Sequence, residues 1–77
     1  MEITIAVHGH AKEFVPGGRD RLVVEAAKPL TVRQLLNDVG IRPEIFAGVF
    51  VNGERRDLDF ELTEDSEVIL MSPTAGG

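Results

Sequence analysis

The sequence contains no cysteine, tryptophan or tyrosine, and its 77 residues include only four phenylalanines. The absence of cysteine excludes disulfides, thiolate metal sites and a cysteine nucleophile. No apolar run approaches the roughly 20 residues that a membrane-spanning helix requires. The first residues alternate like a strand and do not resemble a signal peptide. We therefore expect a cytoplasmic protein with no membrane partner.

Positive charge is also scarce, because eight Lys and Arg residues stand against thirteen Asp and Glu, giving a net charge of −5. An acidic chain of this size repels phosphate backbones, so a nucleic-acid partner is not expected. The length suits one small domain and leaves no room for a large cofactor pocket between two lobes. We therefore do not expect a self-contained metabolic enzyme.

Period-2 patterns predict several strands. Alternating apolar residues predict a first strand over residues 2–8, and a Pro-Gly-Gly loop separates it from a second at 21–26. These two strands should form an antiparallel hairpin. Further strands are predicted over residues 47–51, 54–57 and 67–72. Asn52 and Gly53 form the preferred pair for a tight type I′ hairpin turn.

The clearest local signal is a helix start. Thr31 followed by Gln34 is a capping box, and apolar residues at helical spacing continue to Gly40, which favours a left-handed stop. These features predict a helix over residues 32–39. One helix packed on one face of a mixed sheet of four to five strands gives an α+β, β-grasp (ubiquitin-like) fold. We expect this domain over residues 1–72 and a flexible tail over 73–77.

The tail ends in Gly76 and Gly77 and follows Pro73, which lacks the N–H that would continue a strand. Glycine has no Cβ and accepts either sign of φ, so such a tail can thread a narrow channel. It also carries an unhindered carboxylate at its tip. Activation of that carboxylate as an acyl-adenylate would allow attack by a sulfur donor or by an amine. Another enzyme would supply the activation, and this chain would be its macromolecular substrate.

Other groups give weaker indications of chemistry. His8 and His10 share strand parity, yet a zinc site needs three or four ligands and no third is evident. The acidic stretch 57–67 is typical of a solvated surface. Gly17 and Gly18 lack the lysine and helix start of a phosphate-binding loop. We expect no metal and no cofactor bound by the chain itself.

Four segments of the sequence form a recognisable set. They are Val51-Asn52-Gly53-Glu54, Asp57-Leu58, Glu67-Val68-Ile69-Leu70 and Ser72-Pro73-Thr74-Ala75-Gly76-Gly77. Together they resemble the ubiquitin-like sulfur carriers, whose members include the small subunit of molybdopterin synthase (MoaD type) and the thiamine-pathway carrier (ThiS type). The similarity covers nearly the whole chain, and the Pro-x-Ala-Gly-Gly ending is closer to the molybdopterin type. The opening strand, without the aromatic residues common in molybdopterin-type members, departs from the pattern.

This resemblance implies that Gly77 is adenylated by a ubiquitin-activating-type enzyme, which uses ATP, and is then converted to a thiocarboxylate. Gly76, which precedes it, has no side chain and so leaves the tail narrow. In the molybdopterin branch the tail, with Pro73, Thr74 and Ala75, enters the large synthase subunit. There it delivers sulfur to a pterin precursor to build the dithiolene that binds molybdenum or tungsten. We therefore expect a non-catalytic protein that is monomeric alone and acts in a hetero-complex.

Strand parity also predicts a docking face. If the odd residues of the first strand face the helix, Val49 and Val51 face inward and Phe50 faces outward. By the same rule Ile69 and Met71 face outward, beside the root of the tail. The three outward residues would form an apolar patch for a partner. A register shift of one residue would instead place them in the core.

Three alternatives to the molybdopterin role stay open at this stage. The chain could carry sulfur for thiamine synthesis or tRNA thiolation. It could be a protein modifier whose Gly77 forms an isopeptide bond with lysines. It could also be a plain ubiquitin-like interaction module with an incidental tail.

Overall fold

The computed structural model describes residues 1–8 and 20–71. Its elements, in chain order, are β1 (Glu2–His8), β2 (Arg21–Glu25), β3 (Leu30–Thr31), α1 (Val32–Asp38), a 3₁₀ helix (Pro43–Ile45), β4 (Gly48–Val51), β5 (Glu54–Arg56), β6 (Glu61–Leu62) and β7 (Ser66–Met71). The loop from His10 to Gly18 and the tail 73–77, whose boundary with the domain was predicted above, lie outside the described residues.

The main sheet has five strands in the order β2-β1-β7-β4-β5. β1 is antiparallel to β2 and parallel to β7, while β4 is antiparallel to both β7 and β5. The parallel pair β1 and β7 requires a crossover connection, and α1 lies within it. The mixed sheet with one α-helix confirms the predicted α+β, β-grasp fold.

The core consists of apolar side chains from α1, its C-terminal flank and one face of the sheet. Strand alternation places every second residue of β1, β4 and β7 in it, as the sequence pattern predicted. The buried residues are Ile3, Ile5, Val7, Val32, Leu35, Leu36, Ile41, Val49, Val51, Leu62, Val68 and Leu70.

The helix begins where the capping box was predicted. The Gln34 N–H donates to Thr31 Oγ1 at 3.1 Å, and the Thr31 N–H donates to Gln34 Oε1 at 2.9 Å. The helix ends at Asp38, one residue earlier than expected, and Gly40 adopts the left-handed region with φ 81°. The seven-residue helix is too short to persist alone, so its caps and its buried face hold it.

The β4–β5 hairpin turns at Asn52 and Gly53, whose φ angles are 51° and 86°. Two left-handed residues in succession give the type I′ turn that the sequence predicted. Asn52 also joins the hairpin to β7, because the Glu67 N–H donates to Asn52 Oδ1 at 2.9 Å. This turn fixes the register of β4 and β5.

A second, two-stranded sheet was not predicted. β3 pairs antiparallel with β6, with Leu30 opposite Leu62, and β6 lies within the acidic stretch 57–67, at residues for which no strand was predicted. Strands of two residues are too short to show a period. The segment just before β6 accepts hydrogen bonds from the first turn of α1, because the Val32 N–H donates to the Phe60 carbonyl at 3.0 Å. Within the described ranges, no helix is long and apolar enough to cross a membrane.

Candidate functional site on the open face of the sheet

The face of the main sheet opposite α1 carries the three residues that parity assigned to a docking patch. Phe50 lies directly opposite Ile69 across the β4–β7 pair, and Ile69 lies opposite Ala6 across the β7–β1 pair. Ala6, Phe50 and Ile69 are partly buried, while Met71 is 37% exposed. The predicted orientation of these strands is confirmed. We call this face, with Ala6, Phe50, Ile69 and Met71 at its centre, the open face.

β7, which ends at Met71, is the middle strand of the main sheet. Met71, the last described residue, pairs with His8 on one side and Gly48 on the other. Its carbonyl also accepts the Ala47 N–H at 2.8 Å. Strands therefore hold β7 on both sides up to the point where the predicted tail begins. The predicted tail lies outside the described part of the chain and consists of Pro73, Thr74, Ala75, Gly76 and Gly77.

Arg55 stands near the end of β7 and was not singled out from the sequence. It lies opposite Phe50 in the β4–β5 pair, and its Nη2 donates to the Ala47 carbonyl at 3.2 Å. A Cβ atom placed on Gly48 would lie 3.5 Å from the Arg55 Cζ, so the guanidinium covers the Gly48 backbone. Ala47 therefore donates its N–H to the Met71 carbonyl and accepts a hydrogen bond from the Arg55 guanidinium at its own carbonyl.

A groove of about 340 Å³ lies beside β4 and β5. Phe46, Val49 and Leu58 supply its apolar wall, and Arg55 also lines it. Because Val49 faces the core, this wall lies on the other side of β4 from Phe50.

The carboxyl of Glu44 has a lowered pKa and lies away from the open face. The pKa of the Glu44 carboxyl lies below its ordinary value, because it accepts a backbone hydrogen bond and one from Arg42. That exposed pair sits on the 3₁₀ helix and outside the open face. Across residues 1–8 and 20–71, no group of three or more metal-ligating side chains occurs. His8 is exposed, and His10 lies outside the described residues.

Comparison with known proteins gives a family and a fold. A model of the ThiS family matches residues 5–77, which is nearly the whole chain and includes Gly76 and Gly77. No curated protein sequence matches the chain.

Three solved structures share the fold. SAMP1 from Haloferax volcanii is 22% identical over 100% of both chains, with a TM-score of 0.77. Urm1 from Trypanosoma brucei is 17% identical over 99% of this chain and 95% of its own, with a TM-score of 0.76. A complex of subunits 1 and 2 of the molybdopterin-converting factor from Helicobacter pylori contains a chain that is 18% identical over 100% of both, with a TM-score of 0.61.

Proposed function

Because the chain belongs to the ThiS family of ubiquitin-like sulfur carriers, we propose that Gly77 is adenylated and then converted to a thiocarboxylate that donates sulfur. The observation that carries this proposal is the family match, which continues through Gly76 and Gly77. The open face supports it, since an apolar surface beside the tail would let a partner hold the domain while the tail enters its active site.

The chemistry would proceed in two steps. A carboxylate oxygen of Gly77 attacks the α-phosphate of ATP, which forms the acyl-adenylate and releases pyrophosphate. A sulfide equivalent then attacks the acyl carbon, the bond to AMP breaks, and the thiocarboxylate remains. The activating enzyme supplies the nucleotide site and catalysis, and this chain supplies the carboxylate. Its role is that of a carrier and a substrate.

We further propose that the acceptor pathway is molybdopterin synthesis and that the partner is a large synthase subunit. The Pro-x-Ala-Gly-Gly ending supports this assignment, as does the fold shared with the Helicobacter pylori complex, whose two subunits are seen together. In this proposal Phe50, Ile69 and Met71 dock first on the activating enzyme and then on the large subunit. Pro73, Thr74 and Ala75 enter the partner with the two glycines.

Sulfur transfer to thiamine synthesis is the second candidate, and the name of the matching family favours it. The two pathways differ in the acceptor and share the carrier chemistry. Incubating the thiocarboxylated chain with each acceptor system would separate them. Formation of the pterin dithiolene would support the first candidate, and formation of the thiazole ring would support the second.

Pyrophosphate exchange tests the activation step. The chain, the ubiquitin-activating-type enzyme of the same genome and magnesium–ATP are incubated with labelled pyrophosphate, and label in ATP is measured. We expect exchange that depends on the chain and disappears when Gly76 and Gly77 are deleted. The matched control is Lys28→Glu, which leaves the tail unchanged. Exchange that persists without the two glycines would contradict the proposal.

A further inference from the structure

The open face is divided by charge along its strands. In the row that crosses all five strands near the tail, pairing places Arg21, Ala6, Ile69, Phe50 and Arg55 side by side. Arginines therefore occupy both edge strands, on either side of an apolar centre. Their separation is four strand spacings, or about 19 Å.

The opposite end of the same face is acidic. Glu2 pairs with Glu25 across the β1–β2 pair, and Glu67 pairs with Thr4 across the β1–β7 pair. All three carboxylates are exposed. The Met1 ammonium, which donates to the Ala26 carbonyl at 2.8 Å, offsets only part of this negative charge.

Two features indicate that packing alone does not explain this arrangement. Glu2 and Glu25 are like charges placed directly opposite each other, which costs stability in an antiparallel pair. The three ion pairs among the described residues involve Arg33, Arg42 and Arg56, so none of them uses the two arginines of the open face. An acidic protein thus presents two of its few cations on the apolar face, at the end where the tail leaves.

The two ends are far enough apart to be recognised separately. Glu2 lies four positions before Ala6 in β1, a distance of about 13 Å along the strand. Glu67 is nearer, two positions before Ile69 in β7, or about 7 Å. The separation of Glu2 exceeds the Debye length of about 8 Å at physiological ionic strength. A partner surface would therefore meet a basic end and an acidic end, with an apolar strip between them.

We propose that this division of charge sets the orientation in which the activating enzyme, the partner that acts on the tail, docks on the open face. The partner presents carboxylates beside the entry of the tail, opposite Arg21 and Arg55, and basic side chains opposite Glu2, Glu25 and Glu67. The opposite orientation would bring like charges together at both ends. The inference rests on the proposed function, and it names the chemistry of the docking partner.

Charge reversals at the two ends test the inference. Association with the activating enzyme is measured by stopped flow at several salt concentrations for the native chain and for Arg55→Glu, Glu25→Lys and Lys28→Glu. We expect the first two variants each to lower the association rate constant, by on the order of tenfold at low salt. Lys28→Glu makes the same charge change as Arg55→Glu outside the main sheet and should alter the rate by less than about twofold.

The direction in which Glu25→Lys changes the association rate constant distinguishes a local charge pattern from an effect of net charge. This variant makes the chain less negative, whereas Arg55→Glu makes it more negative. If only net charge mattered, the two variants would change the association rate constant in opposite directions, and that result would overturn the inference. Equal effects of Lys28→Glu and Arg55→Glu, or no dependence on salt, would also overturn it.

Pyrophosphate exchange, measured on the same samples, separates this inference from the proposed function. Normal exchange by the native chain, together with association rate constants that change in opposite directions in Arg55→Glu and Glu25→Lys, refutes the docking orientation alone. The absence of exchange refutes the proposed function and, with it, the inference.

Discussion

Phe50 and Val49 are neighbours on β4 that face opposite sides of the sheet, so aspartate at each position should have different consequences. Val49 is 5% exposed within the core, and Phe50 lies on the open face. Val49→Asp places an unpaired carboxylate among apolar side chains and should unfold a domain of this size. Phe50→Asp should leave the domain folded and weaken partner binding.

The expected loss for Phe50→Asp follows from its partial burial. Complete burial of a phenylalanine contributes about 1.5–3 kcal/mol, and the partner would cover only the part that the free domain leaves exposed, or about 1 kcal/mol. A carboxylate facing the partner's apolar surface adds roughly 2 kcal/mol of lost hydration. The sum of about 3 kcal/mol corresponds to a dissociation constant about 100-fold higher.

Isothermal titration calorimetry with the activating enzyme measures the binding loss, and circular dichroism during urea unfolding measures the fold. Phe50→Ala is the intermediate case and should raise the dissociation constant only about fivefold. Unchanged binding by Phe50→Asp would refute the docking role of the open face. An unfolded Phe50→Asp together with a folded Val49→Asp would refute the assignment of the two faces.

Three further predictions concern the elements that support the open face. Thr31→Ala removes the helix cap and should lower the free energy of unfolding by about 1 kcal/mol, whereas Thr31→Ser should keep it; equal urea midpoints for the two would contradict the cap. Gly53→Ala should cost about 1–2 kcal/mol. No atom other than those of its chain neighbours lies within 4 Å of the added Cβ, so that loss is backbone strain. Gly53→Asn, whose side chain tolerates positive φ better than alanine, should lose less in the same assay. Glu44 has a lowered pKa, so its stabilisation is complete above the ordinary carboxyl value of 4.5 and is lost as the pH falls through the lower folded-state value. Glu44→Gln should therefore destabilise the domain slightly at neutral pH and not at pH values below both pKa values. An equal effect at both would exclude the charge of the carboxylate, which accepts the backbone and Arg42 hydrogen bonds, as its cause.

Local rules predicted the elements whose signal lies within a few residues. The Thr31–Gln34 box, the Asn52–Gly53 turn and the strand alternation each specify geometry without reference to distant residues. The faces of Val49 and Phe50 followed because a single buried face fixes the parity of a strand.

Features that depend on distant pairing were missed. The pairing of Leu30 with Leu62 joins two strands of two residues, and its partners are chosen by tertiary packing. The position of the Arg55 guanidinium over Gly48 was missed for a different reason. The two-residue turn at Asn52 and Gly53 already places Arg55 opposite Phe50, so the same parity rule, extended through the turn, would have placed it on the open face.

Intact-mass spectrometry of the chain, recovered after incubation with the activating enzyme, magnesium–ATP and a sulfide donor, tests the central claim most directly. The account predicts a mass increase equal to the replacement of one oxygen by one sulfur, with the fragment that contains Gly77 carrying it. A chain of unchanged mass under conditions in which the enzyme activates an authentic carrier, or a sulfur located elsewhere in the chain, would contradict it.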